Sequence, residues 1–278
     1  MKRETLALLC DPVHGKPLEF VARPRPALRA VVGGSEYPLV HGIPIFAAQA
    51  AVVGANARYQ KLYDRIAPVY DLANSFSFTL RSGGEKQYRA DILRELEVRD
   101  GDRVIEISCG TGRNLLFLNR SYSGLEMYGL DLSLGMLRVC QRACRREGAE
   151  IRLFQGLAEA LPFRDNTFDV VFHVGGINFF TDPARAMQEM MRIAKPGTKV
   201  VVVDETERKV RSTYERVPFV RRWFRDRGAL VEIPIHAVPK MAEDVRVQEL
   251  DGGNLYCLTF RKPLGADGQT PGRRDLSF

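Results

Sequence analysis

No apolar run in this 278-residue chain approaches the ~18 residues that a membrane-crossing helix needs. The opening MKRETLALLC has an apolar run of only about five residues with an acid in its approach, too short for a secretory signal. Leu9 also stands where a bacterial lipidation site takes a small residue. The five cysteines, Cys10, Cys109, Cys140, Cys144 and Cys257, are scattered and odd in number. That excludes a disulfide framework and fits a reducing compartment, so the expected location is the cytoplasm. P-loop, HExxH and GxSxG motifs are all missing, and so is any internal repeat.

What is present is ordinary globular composition: 45% hydrophobic and 27% charged residues, enough chain for one α/β domain and a small appendage. The net charge of +7 has a plain source in arginine-rich helices and an arginine-containing tail. A nucleic-acid partner is the weaker reading of that charge, because acids are interleaved with the arginines and no aromatic-basic platform is evident.

Residues 1–50 hold short apolar pieces broken by Pro and Gly, which predicts a small β-rich unit with tight turns. Residues 51–98 read as a helical lid or linker. Leu62, Ile66, Val69 and Tyr70 share one helical face, Pro68 is expected to kink or divide that helix, and a second helix is expected over 84–98. From 99 to 264, strand and helix patterns alternate with short connections. This predicts a doubly wound, mainly parallel sheet of seven strands, a Rossmann-like α/β core. VRVQEL and LYCLTFRK flank Asp251-Gly252-Gly253-Asn254, so the last two strands should form an antiparallel hairpin. The tail 265–278 lacks apolar residues and reads as disordered.

The chemistry-bearing stretch is VIEISCGTGRN, residues 104–114. Gly110 and Gly112 follow a strand and open a helix, the arrangement that brings backbone into contact with a ligand. Asp131 ends the next strand, where an acid can take both hydroxyls of a ribose; its alternative is a helix cap beside Ser133. The third glycine of a dinucleotide fingerprint is missing. Glu106 inside the strand suits a cationic ligand whose ammonium must be held.

EISCGTGRN, YGLDLSLGML, GLAEALPF followed by FDVV, and AKPGTKVVVVDE together resemble class I S-adenosylmethionine-dependent methyltransferases, nearest the ubiquinone and menaquinone C-methyltransferase branch. LYDRIAPVYDLAN is similar to the segment before the core in that branch, and the resemblance runs over about residues 58–262. It implies S-adenosylmethionine as cofactor. Glu106, Ser108, Gly110 and Gly112 would cradle its methionine part, Asp131 its ribose, and Leu132, Met136, Leu157 and Ala158 its adenine. His173, Val174 and Gly175 would lie near the methionine end, with Tyr63 and Tyr70 on a lid. Ser108 stands where the family has glycine, and Leu157 where an aspartate commonly meets the adenine amino group. Adenine recognition would then fall to backbone and packing. Residues 1–50 faintly resemble the zinc-ribbon-like domain of a methyltransferase-activating protein. Only Cys10, His14 and His41 are available there, short of the four ligands structural zinc takes, so no metal is expected.

Methyl transfer from a sulfonium needs a nucleophile held in line and water excluded; a base is needed only when the acceptor carries a proton. His173 is the first candidate base by its place at a strand end, with packing as its alternative; Asp204 and Glu205 are the next, or caps. Asn178 can bond a substrate oxygen or shape a loop. Cys140 and Cys144, four apart on one helix, read as core thiols. The expected function is methylation of a small molecule, of aromatic or anionic character if Phe219, Trp223 and Phe224 receive it; those three equally suit a helix packed on the sheet. The alternatives are an RNA methyltransferase and a non-catalytic module that has lost its cofactor. Oligomeric state is not legible in the sequence.

Overall fold

The computed structural model describes residues 2–47, 52–79, 84–213 and 231–265. Phe219, Trp223, Phe224 and the tail from 266 lie outside them. A short helix α1 (Arg3–Ala7) precedes four strands, β1 (Leu18–Val21), β2 (Ala27–Ala30), β3 (Glu36–Val40) and β4 (Ile43–Pro44), in the order β1-β2-β3-β4, each antiparallel to the next. The two-residue turn between β3 and β4 needs left-handed backbone at both positions: Gly42 supplies φ 81, and His41 adopts φ 53 despite its side chain. Asp11, 0% exposed, ties this unit together by accepting from the Tyr37 hydroxyl at 2.6 Å and the Val13 amide at 2.9 Å, with His14 Nδ1 2.9 Å away. Burial raises its carboxyl pKa, but these partners outweigh burial and hold it below the ordinary value.

Helix α2 (Gly54–Thr79) runs through Pro68 as one helix, so of the expected kink or division the division does not occur. Contacts on its first half hold it in place: Asn56 Nδ2 donates to Glu159 at 2.9 Å and Gln60 Nε2 to the Leu132 carbonyl at 3.2 Å. Helix α3 (Gly84–Leu93) ends earlier than the predicted 98. Leu96 is buried through a turn, its amide bonded to the Leu93 carbonyl. Glu95 and Glu97 pair with Lys199 and Arg261 at the sheet.

Beyond it, β5 (Arg103–Ile107), α4 (Arg113–Ser121), β6 (Glu126–Asp131), α5 (Leu134–Glu147), β7 (Ile151–Gln155), β8 (Val170–Val174), α6 (Pro183–Ile193), β9 (Lys199–Glu205), α7 (Glu207–Thr213), β10 (Glu243–Leu250) and β11 (Leu255–Arg261) follow in sequence. The seven-stranded sheet has the order β10-β11-β9-β8-β5-β6-β7. β5 to β9 are parallel, and β11 is antiparallel to both β9 and β10, as the hairpin signal predicts. The chain reverses its winding at β5, which pairs with β6 on one side and β8 on the other. Ligands of open α/β sheets bind outside the strand ends at such a point.

Alternation along the strands feeds two cores. Ile105, Ile107, Tyr128 and Val171 pack with α6, whereas Val104, Met127, Leu153 and Phe172 pack with α3, α4 and α5. Strands β1 to β3 join the first of these cores rather than forming one of their own, and Ile43 of β4 joins the second. Leu18, Leu28, Tyr37 and Phe46 pack into the first, with Phe46 and Phe154 ring centroids 6.4 Å apart. A backbone seam completes the join: Ile45 bridges Gln155 in parallel, and the Phe46 amide donates to the Gln155 carbonyl at 2.7 Å. On the far side, Cys10 bonds the Pro162 carbonyl at 3.0 Å.

Candidate functional site

The loop after β5 turns on three left-handed residues: Ser108 (φ 58), Gly110 (φ 54) and Gly112 (φ 77). Ser108 therefore takes the conformation glycine would take, at a cost of about 1–2 kcal/mol for its Cβ. Gly112 is fixed by packing, because a Cβ there would collide with Cys140 Sγ. Gly110 differs: a Cβ would meet nothing within 4 Å, so its face is open to a ligand.

Under this loop lies Glu106, 1% exposed. Its Oε1 accepts from Asn114 Nδ2 at 2.6 Å, while Oε2 is buried with no hydrogen-bond partner. Arg89 of α3, itself buried, donates through Nη1 to Asn114 Oδ1 and so orients the amide. Burial pushes the Glu106 carboxyl up to about 8, against the opposing pull of Asn114 and Arg89. A buried acid with an orphaned oxygen is a site for an incoming cation.

Asp131 ends β6. Its Oδ2 accepts from the Gly110 amide and its Oδ1 from the Ser133 amide, both at 2.8 Å. Each oxygen retains acceptor capacity for a hydroxyl. Burial raises its pKa to about 6 despite those two amides. The helix cap is Ser133, whose side chain accepts from the Met136 amide, so Asp131 is not the cap. The Leu132 carbonyl accepts from both Gln60 Nε2 and, at 2.9 Å, Gln155 Nε2. Gln155 is 3% exposed and its Oε1 is buried without a partner. Met136 and Ala158 are buried and Leu157 half-buried, an apolar set around the chain segments that follow β6 and β7.

Across the switch point, His173 is the penultimate residue of β8, 0% exposed. Its Nδ1 lies 2.8 Å from the Ile107 carbonyl, which only accepts, so Nδ1 carries the proton and Nε2 a lone pair with no partner. Burial lowers its pKa, with Asp204 and that carbonyl opposing. Phe180 packs edge-on at 5.1 Å. Val174 precedes the left-handed pair Gly175 (φ 83) and Gly176 (φ 100). Asp204 is occupied by this turn: Oδ1 accepts from Gly176 and Glu205 amides, Oδ2 from the Ile177 amide at 3.0 Å and Asn178 Nδ2 at 3.3 Å. Asn178 thus shapes the loop. Glu205, beside it, is partly exposed.

Helix α2 lies across these strand ends. Asp64 Oδ1 accepts from Ser133 Oγ at 2.6 Å and the Gly135 amide at 2.8 Å, pinning the helix to the start of α5. Tyr59 stacks on Phe179 at 4.2 Å and Tyr63 meets Tyr70 edge-on at 6.1 Å. Burial first, then Tyr70, Glu205, Asp204 and Asp131, push the Tyr63 hydroxyl pKa well up, so it stays a donor. Tyr63 thus lies within electrostatic reach of acids from both halves of the cleft.

Arg89, Asn114, Gln60, Gln155 and Asp64 are not among the site residues expected from the sequence. Asn114 carried a signal, a poor helix former in the first turn of α4. The others become visible only through partners far away in sequence. Among the described residues no group of three or more His, Cys, Asp or Glu side chains could hold a metal, and no helix is long and apolar enough to cross a membrane.

Residues 105–202 match the methyltransferase domain family. Demethylmenaquinone methyltransferase of Renibacterium salmoninarum is 37% identical over 145 residues, covering 51% of this chain and 56% of the relative. That of Paenarthrobacter aurescens is 30% identical over 186 residues, covering 66% and 64%. The chain thus spans less than two thirds of the length of these relatives. Among solved structures, the cyclase SpnF superposes with TM-score 0.59 at 17% identity, over 74% of this chain and 96% of that one. A phosphoethanolamine N-methyltransferase of Haemonchus contortus gives 0.56 at 18%, over 82% and 62%. Those two likenesses show the fold. Joined with the strand order and the loop, the match over residues 105–202 marks this part of the chain as a methyltransferase domain.

Proposed function

We propose that the chain binds S-adenosylmethionine and methylates a small molecule. The observation that carries this reading is the buried, unpartnered Glu106 Oε2 beneath the open face of Gly110, with Asp131 at the next strand end. Those groups fit a zwitterionic nucleoside. Glu106 would hold its ammonium, the Ser108–Gly112 loop its methionine backbone, and Asp131 its ribose hydroxyls. Leu132, Met136, Leu157 and Ala158 would enclose the adenine. Leu157 cannot accept from the adenine amino group, and we assign that acceptor to Gln155 Oε1, a buried oxygen whose amide orientation is set by the Leu132 carbonyl.

The bound group supplies a methyl on a positively charged sulfur that leaves as a neutral thioether. The chain's own residues position and shield. We read residues 51–98 as the lid, with Tyr63 donating to an acceptor oxygen and Tyr59, Tyr70 and Phe179 forming aromatic walls. The relatives' names point to demethylmenaquinone, and these rings support a flat quinone-type acceptor. Val174 and Gly175 border the transfer position. Asp204, which accepts from the 176–178 turn and the Glu205 amide, acts as a support, and His173, shut behind Phe180, as a second. Glu205, the partly exposed acid, is the base for an acceptor that carries a proton. All five cysteines are buried thiols, which supports a cytoplasmic setting.

Calorimetric titration with S-adenosylmethionine tests the reading. Saturable binding with a rise in melting temperature is expected; no heat and no shift would sink it.

A further inference from the structure

Away from the strand ends, the β3–β4 turn packs against α5 and leaves two adjoining cavities of about 300 and 270 Å³ that share Gln141 and Arg145. The larger has an apolar floor, including Ile43, Pro44, Leu153 and Phe154. Its one lining acid, Glu150, pairs with Lys2 at 2.5 Å and Arg152 at 3.4 Å. The smaller is lined by His41, Arg138, Gln141, Arg142 and Arg145, with no acid. None of the three arginines has an ion-pair partner among the described residues, although they follow one another at four- and three-residue spacing along one helix. Three like charges left side by side repel, and an anion between them relieves that repulsion.

The turn facing them is held deliberately. Gln141 Nε2 donates to the His41 carbonyl at 3.1 Å, and His41 keeps its left-handed φ of 53 where glycine would fit without strain. Strain kept at a cavity wall marks a side chain needed there.

We propose that these joined cavities form a second site, for an amphiphilic organic phosphate. Arg138, Arg142 and Arg145 take the phosphate, guanidinium forks matching its oxygens, while the apolar body lies on Ile43, Pro44, Leu153 and Phe154. A dianionic head suits three uncompensated cations better than a monocarboxylate does. The site stands apart from Glu106 and Asp131, so its test does not depend on methyl transfer.

Octyl phosphate below its micelle concentration, titrated calorimetrically into the full chain, is the probe. It should bind at least tenfold tighter than inorganic phosphate or the uncharged octyl glucoside. The double variant Arg142→Gln/Arg145→Gln should weaken it at least tenfold with an unchanged melting temperature, since both side chains are exposed. His41→Gly should raise the melting temperature yet weaken octyl phosphate, a divergence that a purely structural role would not produce. Sedimentation with vesicles containing phosphatidic acid, lost in the double variant, would identify the source as a lipid headgroup; octyl phosphate binding without sedimentation would identify a soluble phosphate ester. Inorganic phosphate binding as tightly as octyl phosphate, or undiminished binding in the double variant, would overturn the proposal.

Discussion

At the end of β6, Asp131 accepts two backbone amides and keeps room for two hydroxyls; at the end of β9, Asp204 accepts three amides and a side-chain amide and has little left to offer. The same contrast extends through each half of the cleft. Beside Asp131 lie two buried oxygens without partners, on Glu106 and Gln155, and an open glycine face. Beside Asp204 the polar groups, His173 Nε2 excepted, are spent on holding a turn, and Tyr59 stacks on Phe179. One half is built incomplete, to be finished by a charged and richly hydrogen-bonding molecule. The other, His173 Nε2 apart, is already satisfied within the fold. Two acids at equivalent strand ends therefore do different work, set by the loops that follow them.

The sharpest way to break this contrast is Asp131→Ala. Losing two charge-assisted bonds to ribose should cost about 3 kcal/mol, near a hundredfold in S-adenosylmethionine affinity by calorimetry. An unchanged affinity would remove the cofactor half from the argument. Asp204→Asn should act on the other quantity. Folding stability should fall by ~1–3 kcal/mol in urea melts, with cofactor affinity within about threefold of the parent chain. Equal effects of the two substitutions on affinity would erase the distinction.

Gln155→Met sharpens the comparison within the cofactor half. The parent chain should prefer S-adenosylhomocysteine to its inosine analogue, which lacks the amino group, by about tenfold or more. The variant should lose most of that preference while retaining the inosine analogue.

Glu106 gives a pH dependence. Its folded carboxyl titrates near 8, above the ordinary 4.5, so the free protein binds a proton there that the unfolded chain does not. Stability of the free protein should fall as pH rises from about 4.5 to 8. A cationic partner favours the ionised form, so cofactor affinity should rise severalfold between about pH 6.5 and 8.5, and Glu106→Gln should flatten that rise. The smallest effect belongs to Ser108→Gly, expected to stabilise by ~0.5–1 kcal/mol, because left-handed strain is relieved while the unfolded chain gains freedom.

The proposed cofactor half was largely legible in the sequence because its form sits in backbone shape and strand ends. Gly110, Gly112, Glu106 and Asp131 occur at fixed spacings within one strand-loop-helix-strand run. Even the Ser108 departure could be located, though only coordinates show it adopting φ 58. The proposed acceptor half was less legible, since the burial of His173 and the bonds that Asp204 accepts leave no mark in the sequence. Arg89 and Gln155 were hidden for a similar reason, because a side chain's partner across the fold leaves no mark on its own neighbours in sequence. The end of α3 was misplaced because Leu96 mimics helical spacing while lying in a turn.

The seam at Ile45 and Phe46 bears on how the molecule keeps to itself. β7 is the last strand of the large sheet, and the segment after β4 lies along its exposed side at Gln155. A chain trimmed to begin at residue 52 would uncover that strand together with Phe154 and Phe163. Such an edge invites pairing with another copy, so the small unit doubles as a guard against aggregation.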